Sequence, residues 1–426
     1  MRKLSITAVV LLFFVSFEIC HANGSSFGYQ PSMDTASDKS SHPDTQQYKS
    51  SRTFGGHVLA LPSYIFQGIT WPVSYGLKTF EQEFPNLFKG ERAPYGVYPL
   101  FELGGDAGAA YGLLAYHNKF LPVNHQVRME VLFGSKDYND FDLEYEIPGF
   151  VHADGNLELE GEYGNDPVKS FYISNITDDN RRTFYDKEVK MAGITYEQPA
   201  APRLNWILEG QWKNIRIGRS EYRSSSDSTL QFSPDRIGED SFVSVGTSMQ
   251  LDRSKGKKRT VGGTRYKLGL SYTQSLLNDR YRYVTYTAEW QAFLPVRFLP
   301  ENRRLAFKSR LRKAEALEGK EIPFYELPKL GSSYDLRGFP SDRFREDGSL
   351  LFTLEYRYPI WNFADVSLFM DEGQVFDGFE NIQFSDFKTS YGVGLHLYGA
   401  GGFAFRSEFA FSKNHSRVIL SINPNF

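Results

Sequence analysis

The stretch QVRMEVLFG, residues 126–134, alternates apolar and charged side chains along its length. Because successive side chains of a β-strand point to opposite faces, one face of this strand is apolar and the other is charged. The pattern recurs in FDLEYEIP (141–148) and in NLELEGEYG (156–164), where Glu158 and Glu162 share a face. Burying so many charges in a dry core would be very costly, so these strands indicate water on one side and an apolar environment on the other.

A soluble β-sandwich also turns a charged face outward, so the alternation alone leaves two all-β architectures open. The composition favours a transmembrane β-barrel. Aromatic residues make up 16% of the 426 residues, with 36 Phe and 26 Tyr, although the mean hydropathy is −0.43. Outer-membrane barrels combine a polar lumen, an apolar lipid-facing surface and aromatic girdles. The net charge of −3 and the pI near 6.3 give no reason to expect nucleic acid as a partner.

Segments of about ten residues, the length that a tilted strand needs to cross a bilayer, follow one another from residue 95 onward. They number sixteen, and bacterial single-chain barrels have an even number of strands. A further stretch, VKSFYIS at 168–174, is assigned to a long external loop. The predicted strands cover residues 96–103, 108–117, 125–134, 139–147, 156–163, 187–196, 203–213, 242–251, 265–274, 281–292, 303–313, 350–360, 364–371, 389–398, 403–411 and 417–424. The sequence therefore predicts an all-β fold, a 16-stranded antiparallel transmembrane β-barrel over residues 93–426.

The residues before the barrel divide into three predicted segments. Residues 1–22 have a positive start, a short apolar run and small residues at the end, as in a secretory signal peptide. Acylation of Cys20 is disfavoured because the residues before it are not small. Residues 23–54 are predicted to form a disordered polar linker. Residues 55–92 have an apolar helical face, which predicts a short amphipathic helix at the periplasmic mouth or in the lumen, with a membrane-surface helix as the alternative.

A segment of roughly 35 residues between the eleventh and twelfth predicted strands is far longer than a hairpin needs. It contains GSSYDLRGFPSDRFRED, residues 331–347, with Arg337 between apolar neighbours. The two strands that follow place Glu355 and Asp371 on their lumen faces, by the same alternation. If the loop folds into the lumen, these carboxylates can bind the guanidinium. The alternative is an exposed arginine in a flexible loop.

The neighbours of Arg337 have separate expected roles. Gly338 would let the backbone turn tightly or approach the barrel wall closely. Leu336 and Phe339 would pack against apolar wall residues such as Phe369. The long loop is therefore predicted to be anchored by one ion-pair group and by apolar contacts on either side of it.

These residues carry a resemblance to a known family. Leu-Arg-Gly-Phe at 336–339, Glu-Tyr-Arg-Tyr-Pro-Ile at 355–360 and Phe-Met-Asp-Glu-Gly-Gln-Val at 369–375 resemble the C-terminal barrel of the BamA/TamA superfamily of outer-membrane assembly and translocation proteins. The resemblance is strongest over residues 330–426 and extends more loosely back to about residue 95. It implies that the loop arginine is held inside the barrel by acidic residues of the next two strands.

Two further expectations follow from this resemblance. Family members that insert barrels or secrete proteins carry POTRA domains before the barrel, whereas here only the linker and the amphipathic segment are expected, as in a barrel-only branch. The last strand resembles the C-terminal signal that the host barrel-assembly machinery recognises, although Asn423 stands where glycine is usual. The residues of this expected signal are Val418, Leu420, Ile422 and Phe426.

No enzyme or cofactor motif is recognised in the sequence. The histidines show no metal-ligand spacing, and no nucleophile and base pair stands out, so neither a cofactor nor a hydrolase activity is expected. The expected protein lies in a Gram-negative outer membrane, in contact with its lipid, and inserts, translocates or exports a protein or lipid substrate. The alternative is a passive pore or structural barrel.

Overall fold

The computed structural model describes residues 94–105, 108–120, 124–172, 182–221, 237–254, 262–296, 303–361, 363–398 and 404–422. Sixteen antiparallel strands close into a barrel, as predicted from the sequence. Eleven precede the long loop: β1 (Tyr95–Gly105), β2 (Gly108–Phe120), β3 (His125–Gly134), β4 (Asn139–Pro148), β5 (Asn156–Tyr172), β6 (Arg182–Ala201), β7 (Leu204–Arg219), β8 (Gly238–Asp252), β9 (Gly263–Ser275), β10 (Arg282–Pro295) and β11 (Arg304–Ala316). The loop holds a two-stranded sheet, β12 (Lys329–Leu330) and β13 (Phe344–Arg345). Five strands follow: β14 (Gly348–Trp361), β15 (Ala364–Phe376), β16 (Lys388–Tyr398), β17 (Ala404–Ser412) and β18 (Ser416–Ile422).

Each barrel strand pairs with its neighbour in sequence, except where β11 pairs with β14 across the long loop. The first and last strands complete the ring, with Glu102 opposite Ser421 and Leu103 opposite Leu420. Closure removes the free edges that an open sheet would expose to lipid, where unpaired backbone groups are very costly.

The two faces of the barrel follow the alternation read from the sequence. Outward-pointing side chains are apolar and exposed, as lipid contact requires; they include Leu113, Met129, Leu143, Leu159, Trp212, Val245, Leu268, Leu354, Leu368 and Phe409. The residues between them point into the lumen and are predominantly polar or charged on most strands. No helix among the described residues is long and apolar enough to span a bilayer.

Strands β5, β6 and β7 are longer than predicted, with 17, 20 and 16 residues. Residues 168–172, assigned from the sequence to an external loop, instead continue β5 after a register shift between Asp166 and Lys169. The outer face of the extension carries charges, with Arg216 Nη2 2.6 Å from Glu188 Oε2. Because such charges are unfavourable in hydrocarbon, these strand ends stand beyond the lipid.

The two ends of the barrel differ in the length of their connections. The even strand number puts both barrel termini at one end, where the turns are short. The longest connection, residues 317–347, lies at the other end, which is extracellular in outer-membrane barrels. Its Phe324 and Tyr325 pack against the extended strands, in a cluster with Tyr185, Ile215 and Phe242.

Several predicted segments lie outside the described residues. These are the signal peptide at 1–22, the linker at 23–54, the amphipathic segment at 55–92 and Phe426 of the C-terminal signal. Inside the described part, Val418 of β18 is exposed and Ile419 is buried.

Candidate functional site

The loop reaches Arg337 through a tight turn. Leu336 has a φ of 46°, and the backbone N–H of Phe339 donates to the Leu336 carbonyl at 2.8 Å. A Cβ on Gly338 would lie 2.5 Å from the carbonyl oxygen of Phe411 and 2.8 Å from the Cβ of Ser390. Glycine is therefore required here because the loop backbone lies directly against β16 and β17.

The guanidinium of Arg337 binds Asp371 of β15 through two hydrogen bonds. Nε donates to Oδ2 at 3.0 Å, and Nη2 donates to Oδ1 at 2.8 Å. The backbone N–H of Arg337 also donates to Oδ2, at 3.1 Å. Thr353 and Ser390 donate their hydroxyls to the same carboxylate at 3.0 and 3.1 Å. Asp371 is fully buried, so these donors replace the water that the charge has lost.

Two further carboxylates complete the coordination of the guanidinium. Nη1 of Arg337 donates to Oε2 of Glu355 at 3.3 Å and to Oε1 of Glu408 at 2.9 Å. The ring of Phe369 lies under the guanidinium, with Cζ 3.4 Å from the ring centroid, in cation–π geometry. The structure thus brings Arg337 together with Glu355, Asp371 and Phe369, and adds Glu408 of β17.

The Arg337 cluster is defined here as Arg337, Glu355, Asp371 and Glu408 with the cations around them. Arg357 donates to Oε1 of Glu355 at 2.7 Å, His396 Nε2 lies 3.2 Å from Oε1 of Glu408, and Arg406 Nη1 lies 4.0 Å from Oε2 of Glu408. Three carboxylates therefore face three arginines and a histidine.

Burial and the neighbouring carboxylates shift the pKa of Arg337 in opposite directions. Burial would lower the pKa of its guanidinium, but Glu408, Asp371 and Glu355 raise that pKa above its ordinary value. Arg337 is 4% exposed and keeps its charge at any pH at which the protein is folded. Arg337 is therefore a permanent cation held among three carboxylates.

The last strands also hold the loop through its backbone. Ser412 donates its hydroxyl to the carbonyl of Gly338 at 3.0 Å. Arg417 of β18 donates to the carbonyl of Ser332 at 3.2 Å and to the carbonyl of Phe339. Side chains of β15, β17 and β18 therefore bind the same short stretch of loop.

The apolar neighbours of Arg337 pack against wall residues other than Phe369. Leu336 and Phe339 are buried with Leu330, Phe344 and Leu351 of β14 in one cluster, and the partly buried Val375 of β15 packs against it. The expected contact of these two side chains with Phe369 is replaced by the stacking of Phe369 on the guanidinium. Phe369 itself shares a small apolar cluster with Ala410 and Ile419.

Sequence reasoning did not identify Glu408, Ser390 or Arg417 as part of the site. The signal for Glu408 was present in FAFRSEFAF, residues 403–411, where two charged residues alternate with aromatic ones and so face the lumen. Nothing in the local pattern identifies a serine or an arginine as a loop contact. Among the residues that the structure describes, no group of histidine, cysteine and acidic side chains could hold a metal ion.

Three solved structures have a fold similar to that of this chain. A BamA from Haemophilus ducreyi lacking POTRA domains 1–3 is similar with a TM-score of 0.58 and 15% identity, over 78% of this chain and 70% of that chain. CdiB from Acinetobacter baumannii matches with a TM-score of 0.53 and 12% identity, over 77% of this chain and 59% of that one. CdiB from Escherichia coli matches with a TM-score of 0.53 and 11% identity, over 78% and 63%.

Comparison of the sequence with protein-family models identifies the family of this chain. No curated protein sequence matches the chain significantly. The model of the Omp85 superfamily domain, however, matches residues 119–417, which is more than half of the chain and includes the long loop and every residue of the Arg337 cluster. With its closed sixteen-stranded barrel, the chain belongs to the Omp85 superfamily.

Proposed function

We propose that this chain is a non-enzymatic outer-membrane barrel that inserts, translocates or exports a protein or lipid substrate. The substrate would pass through the lumen or across the β1–β18 junction. Family membership and the barrel fold support a role in outer-membrane assembly or translocation. The proposal places the chain in the bacterial outer membrane, in contact with its lipid and assembled there by the host barrel-assembly machinery.

The observation that carries the proposal is the position of the long loop. Arg337 binds β14, β15 and β17 on one side of the barrel, while Asp342 lies 3.3 Å from Lys169 of β5 on the other side. Glu326 lies 3.5 Å from Lys213 of β7. The loop therefore crosses the mouth and is bound at both sides, which suits a barrel that opens under control better than one that stays open.

A passive pore is the second candidate, and the lumen wall of β3–β5 supports it. This acidic face consists of half-buried carboxylates on the lumen side of the three strands: Glu130, Asp140, Asp142, Glu144, Glu146, Glu158, Glu160 and Glu162. Like charges stand directly opposite one another, as in Glu144 with Glu160, although Arg128 lies 3.6 Å from Glu144. Water in the lumen would screen the remaining repulsion between these carboxylates.

Depletion of the protein in its host separates the two candidates. Under the assembly proposal, the amounts of other outer-membrane proteins or lipids fall when this chain is depleted and recover with the wild-type gene. Unchanged outer-membrane protein and lipid inventories, together with a large and steady single-channel conductance of the purified wild type, would establish the passive pore instead.

A further inference from the structure

The turn between β15 and β16, residues 377–387, folds back along the outer face of the barrel and is called the folded-back turn below. Gln374 of β15 points to the same side as the lipid-facing Leu368, because side chains an even number of positions apart in a strand share a face. Nε2 of Gln374 donates to the carbonyl of Asn381 at 3.2 Å, and its Oε1 accepts from the N–H of Gln383 at 3.2 Å. An outward-pointing side chain therefore binds the turn.

A second strand binds the folded-back turn from the same side. Lys313 of β11 lies opposite the exposed Tyr286 of β10, so both side chains point outward. The ammonium group of Lys313 donates to the carbonyl of Asp377 at 2.7 Å and lies 3.7 Å from the carboxylate of Asp347. The turn is thus held against the outside of the wall by both β11 and β15.

An outward-pointing residue beneath the turn is buried, unlike one lower on the same strand. Leu350 of β14 stands directly opposite Gln374 and has the outward orientation of Leu354. Leu350 is 5% exposed, whereas Leu354 is 43% exposed. The folded-back turn therefore covers the extracellular end of this part of the wall from outside the barrel.

Three stacked aromatic rings lead from the barrel wall to the surface of the turn. Phe352 of β14, which points outward between Leu350 and Leu354, stacks on Phe387 with a centroid distance of 6.0 Å. Phe387 stacks in turn on Phe384, also at 6.0 Å. Phe384 is 76% exposed, the highest value among the large apolar side chains that the structure describes. The stack therefore ends in an aromatic ring with almost no cover.

The height of this stack coincides with the upper limit of the lipid-facing surface. Met370 of β15 is exposed and points outward, but the next outward residue, Glu372, is a carboxylate that belongs above the hydrocarbon. Phe352 stands directly opposite Glu372. One position lower, the exposed Tyr391 lies opposite Met370 and its ring is 6.0 Å from that of Phe411, as in an aromatic girdle. The stack is therefore continuous with the lipid-facing surface and lies at its extracellular edge.

Charged residues limit how deeply the turn can enter the membrane. Asp377, Glu380 and Asp386 are exposed on the folded-back turn. Charged side chains are costly in the hydrocarbon core, whereas aromatic rings are favourable at the boundary between headgroups and acyl chains. The turn can therefore place Phe384 at this boundary while its carboxylates stay in water.

We propose that the folded-back turn binds the membrane surface, with Phe384 inserted into the outer leaflet at the boundary between headgroups and acyl chains. The partner is lipid, because the stack continues the lipid-facing surface of β14 and β15. These strands carry Glu355 and Asp371 of the Arg337 cluster, so the membrane attachment lies on the wall that holds the loop. This membrane contact is separate from the proposed transport role.

Fluorescence quenching in vesicles tests the contact on the full-length protein. Cys20, the one cysteine of the sequence, is replaced by serine, and Phe384→Cys is labelled with a small fluorophore. The protein is placed in phosphatidylcholine vesicles that contain phosphatidylcholine with a nitroxide on the upper part of one acyl chain. Leu354→Cys on the lipid face is the positive control, and Glu144→Cys on the lumen face is the negative control. Migration on unheated gels verifies that each labelled variant is folded.

The label at position 384 should be quenched several-fold more strongly than the label at position 144, and comparably to the label at position 354. A nitroxide at the end of the acyl chain should quench it less than the upper-chain nitroxide does. Quenching equal to that at position 144 would overturn the proposal, because Phe384 would then face water or protein. Stronger quenching by the chain-end nitroxide would also overturn it, because the ring would then lie in the hydrocarbon core.

Discussion

Arg337 and Asp371 are joined by three hydrogen bonds, two from the guanidinium at 3.0 and 2.8 Å and one from the backbone N–H at 3.1 Å. Asp371 therefore fixes both the side chain and the main chain of the loop at one point. Since Asp371 is 0% exposed and Arg337 is 4% exposed, removal of Arg337 would leave the buried charge of Asp371 without this cation, and removal of Asp371 would leave Arg337 with only Glu355 and Glu408 of its three carboxylates.

Replacement of Arg337 by alanine is expected to destabilise the protein strongly. Three carboxylates would lose their shared cation, and breaking a buried pair from one side costs about 3–5 kcal/mol. The variant should lose its folded, fast-migrating form on unheated gels at a lower temperature than the wild type does.

Arg280→Ala is the matched control for that experiment. Arg280 lies 2.9 Å from Glu321 near the start of the same loop, but both side chains are more than half exposed. Exposed ion pairs contribute about 0–1 kcal/mol to the free energy of unfolding. Equal heat resistance of Arg337→Ala and Arg280→Ala would contradict the assigned role of the Arg337 cluster.

Gly338→Ala tests the close approach of the loop to the wall without changing any charge. The added methyl group would lie 2.5 Å from the Phe411 carbonyl oxygen. Overpacking of this kind costs about 1–3 kcal/mol. Gly161→Ala is the control, because a Cβ there meets nothing within 4 Å. Urea unfolding in detergent should show a lower midpoint for Gly338→Ala only, and matching midpoints would place the loop away from β17.

The contribution of Asp342 to stability should persist into mild acid. A carboxyl with a lowered folded-state pKa contributes stability that is complete above its unfolded pKa of about 4, and this is lost only as pH falls through the folded value. Limited proteolysis of the 317–347 loop should therefore be equally slow at pH 7 and pH 5. Asp342→Asn should be cleaved faster at both. Acceleration of wild-type cleavage between pH 7 and pH 5, absent from Asp342→Asn, would contradict the lowered pKa.

Ion passage through the barrel should favour cations, because the acidic face lines one side of the lumen. In a potassium chloride gradient, the reversal potential should give a potassium-to-chloride permeability ratio above one. Glu144→Gln combined with Glu160→Gln should bring that ratio closer to one. Glu188→Gln, on the outer face of β6 beside Arg216, should not change it. Anion preference in the wild type would exclude the acidic face as the ion path.

The barrel could be predicted from the sequence because each transmembrane strand carries its own two-residue period. Val127, Met129 and Val131 alone define a lipid-facing surface, and repetition of that pattern gives the strand number. The extension of β5 to Tyr172 was missed because it stands beyond the lipid, where no apolar face is required and the period is lost.

The candidate site could be predicted only in part. The sequence shows Arg337, Glu355 and Asp371 within about 35 residues of one another, because they belong to the loop and to the two strands that directly follow it. Glu408 and Arg417 come from strands more than 70 residues away, and their contacts depend on how deeply the loop descends into the lumen. The contact between Asp342 and Lys169 of β5 likewise depends on the position of the loop.

The most direct test of the loop's position is a double-mutant cycle on Arg337→Ala and Asp371→Ala, with the free energy of unfolding measured in urea. If the two side chains interact as in the structure, the double variant should lose less free energy of unfolding than the two single variants lose together, by about 1–3 kcal/mol. Losses that add to within about 0.5 kcal/mol would show that the two residues do not interact, and would contradict a loop bound inside the barrel at Asp371.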